Sequence, residues 1–502
     1  MHARINTVAF RGIETIDVDV QVHITNGLPA MTIVGLADKA VAESKERVRA
    51  ALSSIGLALP AKRIAINLAP ADLVKEGAHF DLPIALGLLV AMEVLPADAV
   101  QNHLVLGELS LDGKIEAVSG ILPAAITAVA KATGLICPSA CGAEAAWAGD
   151  LEILAASDLV SLLNHVRGTQ VLSPPVPMVM ASSQHSVDMA DLKGQETARR
   201  VLEIAAAGGH NLLLIGPPGA GKSMLAARLP GLLPDLTAAE ALEVTMLHSV
   251  AQQLVDGGLI KTRPFREPHH SASMAALVGG GLRAKPGEIS LAHNGVMFLD
   301  ELAEFSRQVL DALRQPLETE QIIVARANHN VSYPARFQLI AAMNPCRCGY
   351  LGDPSRACAR APVCGRTYTA KISGPMMDRF DLVIDVPEVP GNLLLSNAKS
   401  EETKVIAGRV RDARQFATAR QHQKDHQVNA RLSPDQVDLV AVLAPGGEEL
   451  LKSALDKQKL SARGFHKVLR VARTIADLDQ SETIARHHLA EALAYRTMPL
   501  LA

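Results

Sequence analysis

Aromatic side chains are scarce, at 3% of 502 residues with a single tryptophan, so the cores have to be assembled from leucine, valine, isoleucine and alanine. An excess of one charge is lacking too. The formal net charge of −3 excludes a global basic field and confines any nucleic-acid contact to a local patch or a lined pore. Six cysteines do not make a disulfide framework in a chain of this length. The apolar stretch Leu82–Met92 is too short to span a bilayer and fits a buried helix instead. Met1–Ile16 mixes charge with short apolar runs and carries no secretory pattern. We see no internal repeat. These absences point to a soluble, cytoplasmic chain with no membrane partner.

What is there begins with 48% apolar and 20% charged residues, ample for packed cores, over a length that suits roughly three domains. Ile16–Val22 alternates with period two, as a half-buried strand does, Lys39–Leu52 fits a helix, and Ile64–Leu68 reads as a second strand. Ser173-Pro174-Pro175-Val176-Pro177 and Ser182-Ser183-Gln184-His185-Ser186 form a linker signal. The expected organisation is an N-terminal α+β domain over 1–170, a linker over 171–187, a parallel-sheet α/β domain over 188–390 and a helical domain over 391–502.

The chemistry is concentrated in the central domain. Asn211–Ile215 is a short apolar strand that runs into Gly216-Pro217-Pro218-Gly219-Ala220-Gly221-Lys222-Ser223 and then a helix. This fills every position of the phosphate-binding P-loop in the strand–loop–helix setting it requires, which an ordinary Gly-Pro turn would not need. Backbone N–H groups wrap the phosphates of ATP, Lys222 reaches the β- and γ-phosphates, Ser223 ligates Mg²⁺, and the helix N-terminus adds its positive end. Further on, Val296-Met297-Phe298-Leu299 is a buried strand ending in Asp300-Glu301. Such an ending is weak alone and strong beside a P-loop: Asp300 holds Mg²⁺ through water, and Glu301 orients the attacking water.

Two residues keep two readings each. Asn344 ends the strand Phe337–Met343, where it suits either a sensor of the γ-phosphate or a turn before Pro345. Arg379, in Met376-Met377-Asp378-Arg379-Phe380-Asp381, suits an arginine finger or a salt bridge to Asp378 or Asp381. Cys346, Cys348, Cys358 and Cys364 follow in a loop rich in glycine and proline, with spacing C-x-C-x9-C-x5-C. They are either a tetrahedral Zn²⁺ site or four free thiols. Cys137 and Cys141 lie in the other domain and read as structural.

These strings together resemble the magnesium-chelatase branch of the AAA+ ATPases, and within it the ComM/YifB-like family. The resemblance rests on the P-loop, on Phe265-Arg266-Glu267-Pro268-His269-His270-Ser271-Ala272-Ser273 and on Lys285-Pro286-Gly287-Glu288-Ile289-Ser290-Leu291-Ala292-His293-Asn294-Gly295. It is extended by Tyr333-Pro334-Ala335-Arg336-Phe337, Ala342-Met343-Asn344-Pro345-Cys346 and Ser461-Ala462-Arg463-Gly464-Phe465. It covers essentially the whole chain. It implies a homo-hexameric ring with ATP sites between subunits, Asn344 as sensor 1, Arg379 as a finger acting on the neighbour's ATP, and Arg463 as sensor 2 on a helical lid. Arg470 and Arg473 are weaker sensor candidates. In AAA+ rings of this branch an insertion before the Asp-Glu strand faces the pore. Here that stretch carries Lys261, Arg263, Arg266, His269, His270, Arg283 and Lys285 around Gly279-Gly280-Gly281. Arg263, Arg266, Arg283 and Lys285 become candidates for tracking a DNA backbone, with a solvated loop or a subunit contact as the alternatives.

The N-terminal domain resembles the proteolytic domain of Lon-type proteases, through Gly107–Ile115 and Lys75–Pro83. That chemistry needs a serine nucleophile and a lysine base, and the matched positions hold His79 and Leu122, so a scaffold is expected. By resemblance the chain is a DNA motor driving branch migration in natural transformation and homologous recombination. It would act on single- and double-stranded DNA, with recombination proteins as further partners. A metal-insertion ATPase subunit and an unfoldase without peptidase activity are the alternatives.

Overall fold

In the computed structural model, residues 2–178, 187–254, 257–281, 284–325, 330–353, 355–394, 400–421, 428–458 and 460–496 are described. Much of the linker signal around Ser182–Ser186, as well as Arg283, lies outside them.

The N-terminal domain is built on a seven-stranded mixed sheet. Its strands run in the order Ala30–Val34, Arg63–Ala69, Glu14–Thr25, His2–Arg11, His103–Val105, Gly134–Pro138 and Ile153–Ala156. The alternation expected from Ile16 onward is realised in Glu14–Thr25, where Val18, Val20, Val22 and Ile24 all point into the core. Lys39–Ser54 is helical, started by the Asp38 carboxylate accepting from Val41 N at 2.7 Å. Asp81–Ala91 is the helix expected from the apolar stretch, and it is buried on nearly all sides. Its first residue, Asp81, is fully buried and accepts from Arg47 at 2.6 and 2.9 Å, with a third bond from Leu109 N at 3.2 Å.

The central domain carries a five-stranded, all-parallel sheet. We name its strands β1 (Leu212–Ile215), β2 (Phe265–Arg266), β3 (Val296–Leu299), β4 (Gln338–Met343) and β5 (Leu382–Asp385); their spatial order is β2-β3-β4-β1-β5. Alternate residues feed two cores. Leu212, Leu214, Phe298, Ile340 and Ile384 join one; Leu213, Ile215, Leu299, Ala341 and Val383 join the other. Both faces are therefore covered, as parallel sheets require.

The first of those cores is shared with the C-terminal helices. Val410 of Thr403–Gln421, and Val468, Val471 and Ile475 of Ala462–Leu478, pack into it beside the helix Glu196–Gly208. The helical domain thus lies against a face of the sheet, and its last turn reaches β5 through Val383 N donating to Tyr495 O at 2.8 Å.

The N-terminal and central domains meet at a buried acid. Glu144 Oε1 accepts from Leu122 N at 2.9 Å and from Ser249 Oγ at 2.5 Å, and Ser249 in turn accepts from Gly120 N at 3.1 Å. Burial raises the pKa of the Glu144 carboxyl, opposed by the Ser249 and Leu122 hydrogen bonds. An acid whose pKa rises on folding gives its full stabilisation below its unfolded pKa and loses it as pH rises through the folded value. Glu144→Gln keeps the accepting oxygen without the charge. It should match the parent near about pH 4 and melt roughly 2–4 °C higher at about pH 8, as read by thermal unfolding across that range. Equal melting temperatures at both ends would remove the buried charge as a source of pH dependence.

Candidate nucleotide site

β1 ends at Ile215 and the chain turns through 216–221 into a helix, α1 (Lys222–Arg228). Gly216 has no room for a side chain, since a Cβ would stand 2.2 Å from Val386 O. Gly221 takes φ +87°, a left-handed conformation that only glycine adopts freely. The turn delivers Lys222 into the loop's own concavity. Its ammonium donates to Gly216 O and Pro217 O, both at 2.9 Å, and to Asn344 Oδ1 at 3.0 Å. Burial lowers the Lys222 pKa, and Asp300 and Glu301 pull it back up.

Parallel pairing brings the ends of β1, β3 and β4 together. Ser223 Oγ donates to Asp300 Oδ2 at 2.6 Å, across a sequence separation of 77. Asp300 Oδ1 accepts from Glu301 N at 2.8 Å, and Glu301 stands at φ +52°. A hydroxyl and a carboxylate in contact beside a P-loop are a fitting donor set for Mg²⁺, which would supply positive charge to the phosphate oxygens. Asn344, at the tip of β4, is a direct partner of Lys222, which keeps its side chain beside the P-loop lysine. Glu301 is held by His270 at 3.2 Å (Nδ1 to Oε2). Burial, together with the neighbouring Asp300 charge, raises the pKa of Glu267, which follows β2.

Arg379 lies elsewhere. Asn211, the residue before β1, donates to Arg379 O at 3.0 Å and takes the Asp381 carboxylate on its own N–H at 3.2 Å. Arg379 therefore sits at the amino end of β1, with the P-loop at the other, roughly 13 Å of strand away. Its guanidinium pairs with Glu318, not with Asp378 or Asp381. Its Nε and Nη1 are buried without hydrogen-bond partners. Arg463, on the helix α2 (Ala462–Leu478), shares Glu318 at 3.5 Å and reaches Asp378 at 3.2 Å. Two guanidinium groups are thus gathered at one end of the domain. Burial and the adjacent Arg463 lower the pKa of Arg379, against Glu318 and Asp378.

The weaker sensor candidates are internal. Arg473 is wholly buried, bonded to Asp477 at 3.1 Å and to Glu482 O at 2.8 Å, and Arg470 donates to Leu432 O. Two of the candidate DNA-tracking arginines have carboxylate partners. Arg263 donates to Pro234 O and Asn294 O and pairs with Glu240 at 3.1 Å. Arg266 forms two 2.6 Å bonds to Glu288. Each of the two is thus paired within the domain. Lys285 is half-buried, and its ammonium donates to Gln252 Oε1 at 2.8 Å.

The cysteine loop is gathered. Cys346 and Cys348 place their sulfurs 3.0 Å apart, and the Sγ atoms of Cys346, Cys348 and Cys364 all lie within 4.8 Å of one another. Cys358 interacts with both Cys348 and Cys364. Cys137 and Cys141 are buried in the N-terminal domain.

Comparison with known proteins fits this geometry. Residues 188–394 match the family described as magnesium chelatase, subunit ChlI, residues 20–141 match subunit ChlI of Mg-chelatase, and residues 400–496 match the ChlI C-terminal family. The competence protein ComM of Haemophilus influenzae is 44% identical over 497 residues, covering 98% of this chain and 96% of its own. The uncharacterized protein YifB of Escherichia coli is 43% identical over 499 residues, 99% of this chain and 97% of its own. The chain belongs to the ComM/YifB-like family of magnesium-chelatase-type AAA+ ATPases. The magnesium-chelatase 38 kDa subunit of Rhodobacter capsulatus is more distant, at 25% over 321 residues, 59% of this chain and 82% of its own.

For a family of ATPases, the partners of the charged groups matter as much as the groups. Sequence reasoning missed that His270 holds Glu301 and that Glu318 holds both arginines. His270 was legible only as one more cation in a basic stretch, although its place just after the strand next to β3 was a usable signal. Lys222→Ala should abolish nucleotide binding or turnover. Glu301→Gln should bind ATP while turning over slower by about 10²-fold or more, the scale of one lost transition-state contact. Equilibrium binding of a fluorescent ATP analogue beside steady-state phosphate release separates the two, and parental hydrolysis by Glu301→Gln would remove Glu301 from the chemistry.

Proposed function

We propose that this protein is one subunit of a homo-hexameric, ATP-driven DNA motor, a branch-migration helicase of natural transformation and homologous recombination working in the cytoplasm. The observation that carries the ring is the distance between the two halves of the site. Arg379 and Arg463 stand at the end of the sheet opposite the P-loop, where they serve a neighbour's ATP and not their own. The DNA reading leans on full-length likeness to a competence protein, against a partial and weaker likeness to a magnesium-chelatase subunit. Among the described residues no helix is long and apolar enough to cross a membrane.

In this reading ATP and Mg²⁺ are the working cofactors, held by residues 216–223 with Asp300, and Zn²⁺ is a structural one at the four cysteines. The nucleotide's phosphates replace Gly216 O, Pro217 O and Asn344 Oδ1 as partners of Lys222. Glu301 leaves His270 to polarise the attacking water, Asn344 reports the γ-phosphate, and Arg379 from the adjacent subunit neutralises charge on the transferred group. DNA contact is assigned to Lys285 with Arg283, since Arg263 and Arg266 are paired internally. The N-terminal domain serves as a scaffold. His79 is buried between Phe10 and Phe80 with Nε2 on Val8 O at 3.0 Å, Leu122 is fully buried, and the matched positions offer no nucleophile–base pair.

ATP turnover should be stimulated by DNA and not by porphyrin or unfolded protein. Arg379→Ala should bind nucleotide and lose turnover by about 10³- to 10⁵-fold. Mixing it with Lys222→Ala should restore part of the activity, because each supplies what the other lacks at shared interfaces. A mixture that stays inactive after subunit exchange has been verified would count against the trans site. Stimulation by porphyrin instead of DNA would turn the reading toward metal insertion.

A further inference from the structure

We infer that Cys346, Cys348, Cys358 and Cys364 bind one Zn²⁺, and that this metal site braces the P-loop so that losing the metal weakens ATP binding. The second half rests on the reading of residues 216–223 as an ATP site. The four thiols come from a loop with little to hold it otherwise. Between the end of β4 at Met343 and Gly374, the regular structure among the described residues is the single short helix Val363–Thr369, and a connection of that kind needs a staple or a function.

The geometry fits the ion. Thiolates about 2.3 Å from tetrahedral Zn²⁺ lie about 3.8 Å from one another. The sulfurs of Cys346 and Cys348 stand 3.0 Å apart, and those of Cys346, Cys348 and Cys364 all lie within 4.8 Å of one another, near enough to converge on one ion. Cys358 interacts with Cys348 and Cys364 and is the fourth candidate ligand. Four thiolates around Zn²⁺ leave a net charge of about −2, which calls for nearby cations. Arg347, Arg360 and Arg366 are exposed and each lies within two positions of a cysteine.

The coupling to nucleotide runs through a few residues. Asn344 accepts from the Lys222 ammonium at 3.0 Å. Gly349 lies so close to the P-loop that a Cβ there would meet Pro218 Cδ at 2.4 Å. Cys346 and Cys348 fall between these two contacts. Fixing their sulfurs on a metal therefore fixes both the sensor asparagine and the outer wall of the phosphate loop. A second tie joins the far side of the loop to the chain after β5, where Arg356 bonds Asp353 at 2.6 Å and Glu388 at 2.8 Å.

The test uses the full chain purified without chelator. Elemental analysis should give about one Zn per chain. Replacement by Co²⁺ should give the visible bands of tetrahedral thiolate coordination, and maleimide should label the four cysteines only after chelation. Cys358→Ser combined with Cys364→Ser should carry no metal while keeping the parental far-UV circular dichroism. Protein without metal, whose four thiols remain labelled after Zn²⁺ is added, would overturn the site. Zinc retained by the double variant would overturn it as well, as an adventitious ion only. Chelation should lower the affinity for a fluorescent ATP analogue by about tenfold, the scale of one lost hydrogen bond, and added Zn²⁺ should restore it. Unchanged affinity in zinc-free protein would overturn the brace. Lys222→Ala in the same assay keeps the two readings apart: if it also leaves analogue binding intact, the ATP site itself is what fails.

Discussion

All five strands of the central sheet point the same way, and that constraint organises the rest. With both faces buried under apolar side chains, polar chemistry can collect only at the strand ends. The carboxyl ends of β1, β3 and β4 present the P-loop, the Asp300–Glu301 pair and Asn344 to one another. The amino end of the same sheet carries Asp381, Arg379 and, from α2, Arg463. A rigid sheet cannot fold one edge onto the other. The two sets therefore stay at opposite ends of one chain's sheet, which is the separation the proposed ring would bridge.

The lid is fixed by related packing. Lys467 of α2 is buried against Asp381 at 3.3 Å and donates to Phe380 O at 3.0 Å. Although burial opposes the Asp381 charge, the Lys467 ammonium and His210 outweigh it and hold the carboxyl below the ordinary range. Removing one partner of such a pair would leave an uncompensated charge in the core, at a cost of about 3–5 kcal/mol. The contact ties α2, and Arg463 with it, to the amino end of the sheet. The helical domain is therefore part of the sheet's packing, and Arg463 is carried on the same rigid unit as Arg379.

The sequence made local patterns legible and left pairings hidden. The P-loop, the Val296–Leu299 strand with its acids, and the Asn344 tip could be read because glycine, lysine and a short apolar run carry their meaning within a few residues. The alternating valines of Glu14–Thr25 and the apolar helix Asp81–Ala91 were readable for the same reason. The pairings of Arg263 and Arg266 were not legible because their partners, Glu240 and Glu288, lie more than twenty residues away, at separations of 23 and 22. Composition counts a positive charge without counting what neutralises it. Glu318 escaped notice in the same way: only the fold shows that one carboxylate serves arginines from two elements.

Each charged group of the nucleotide site is paired within the single chain. Lys222 is satisfied by two loop carbonyls and Asn344, Ser223 by Asp300, Glu301 by His270, and Arg379 by Glu318. Lys222 and Arg379 are buried, and because an unpaired buried charge is costly, these contacts hold the two cations in place. Phosphate oxygens compete well for Lys222, since they carry full negative charge where the backbone carbonyls carry only a dipole. Under the proposed mechanism Glu301 and Arg379 gain nothing comparable from nucleotide alone, since one would turn toward a water and the other toward a phosphate in a different subunit. In the proposed reading, ATP binding needs only the exchange of Lys222's partners, whereas hydrolysis also needs the Glu301–His270 and Arg379–Glu318 contacts to be exchanged.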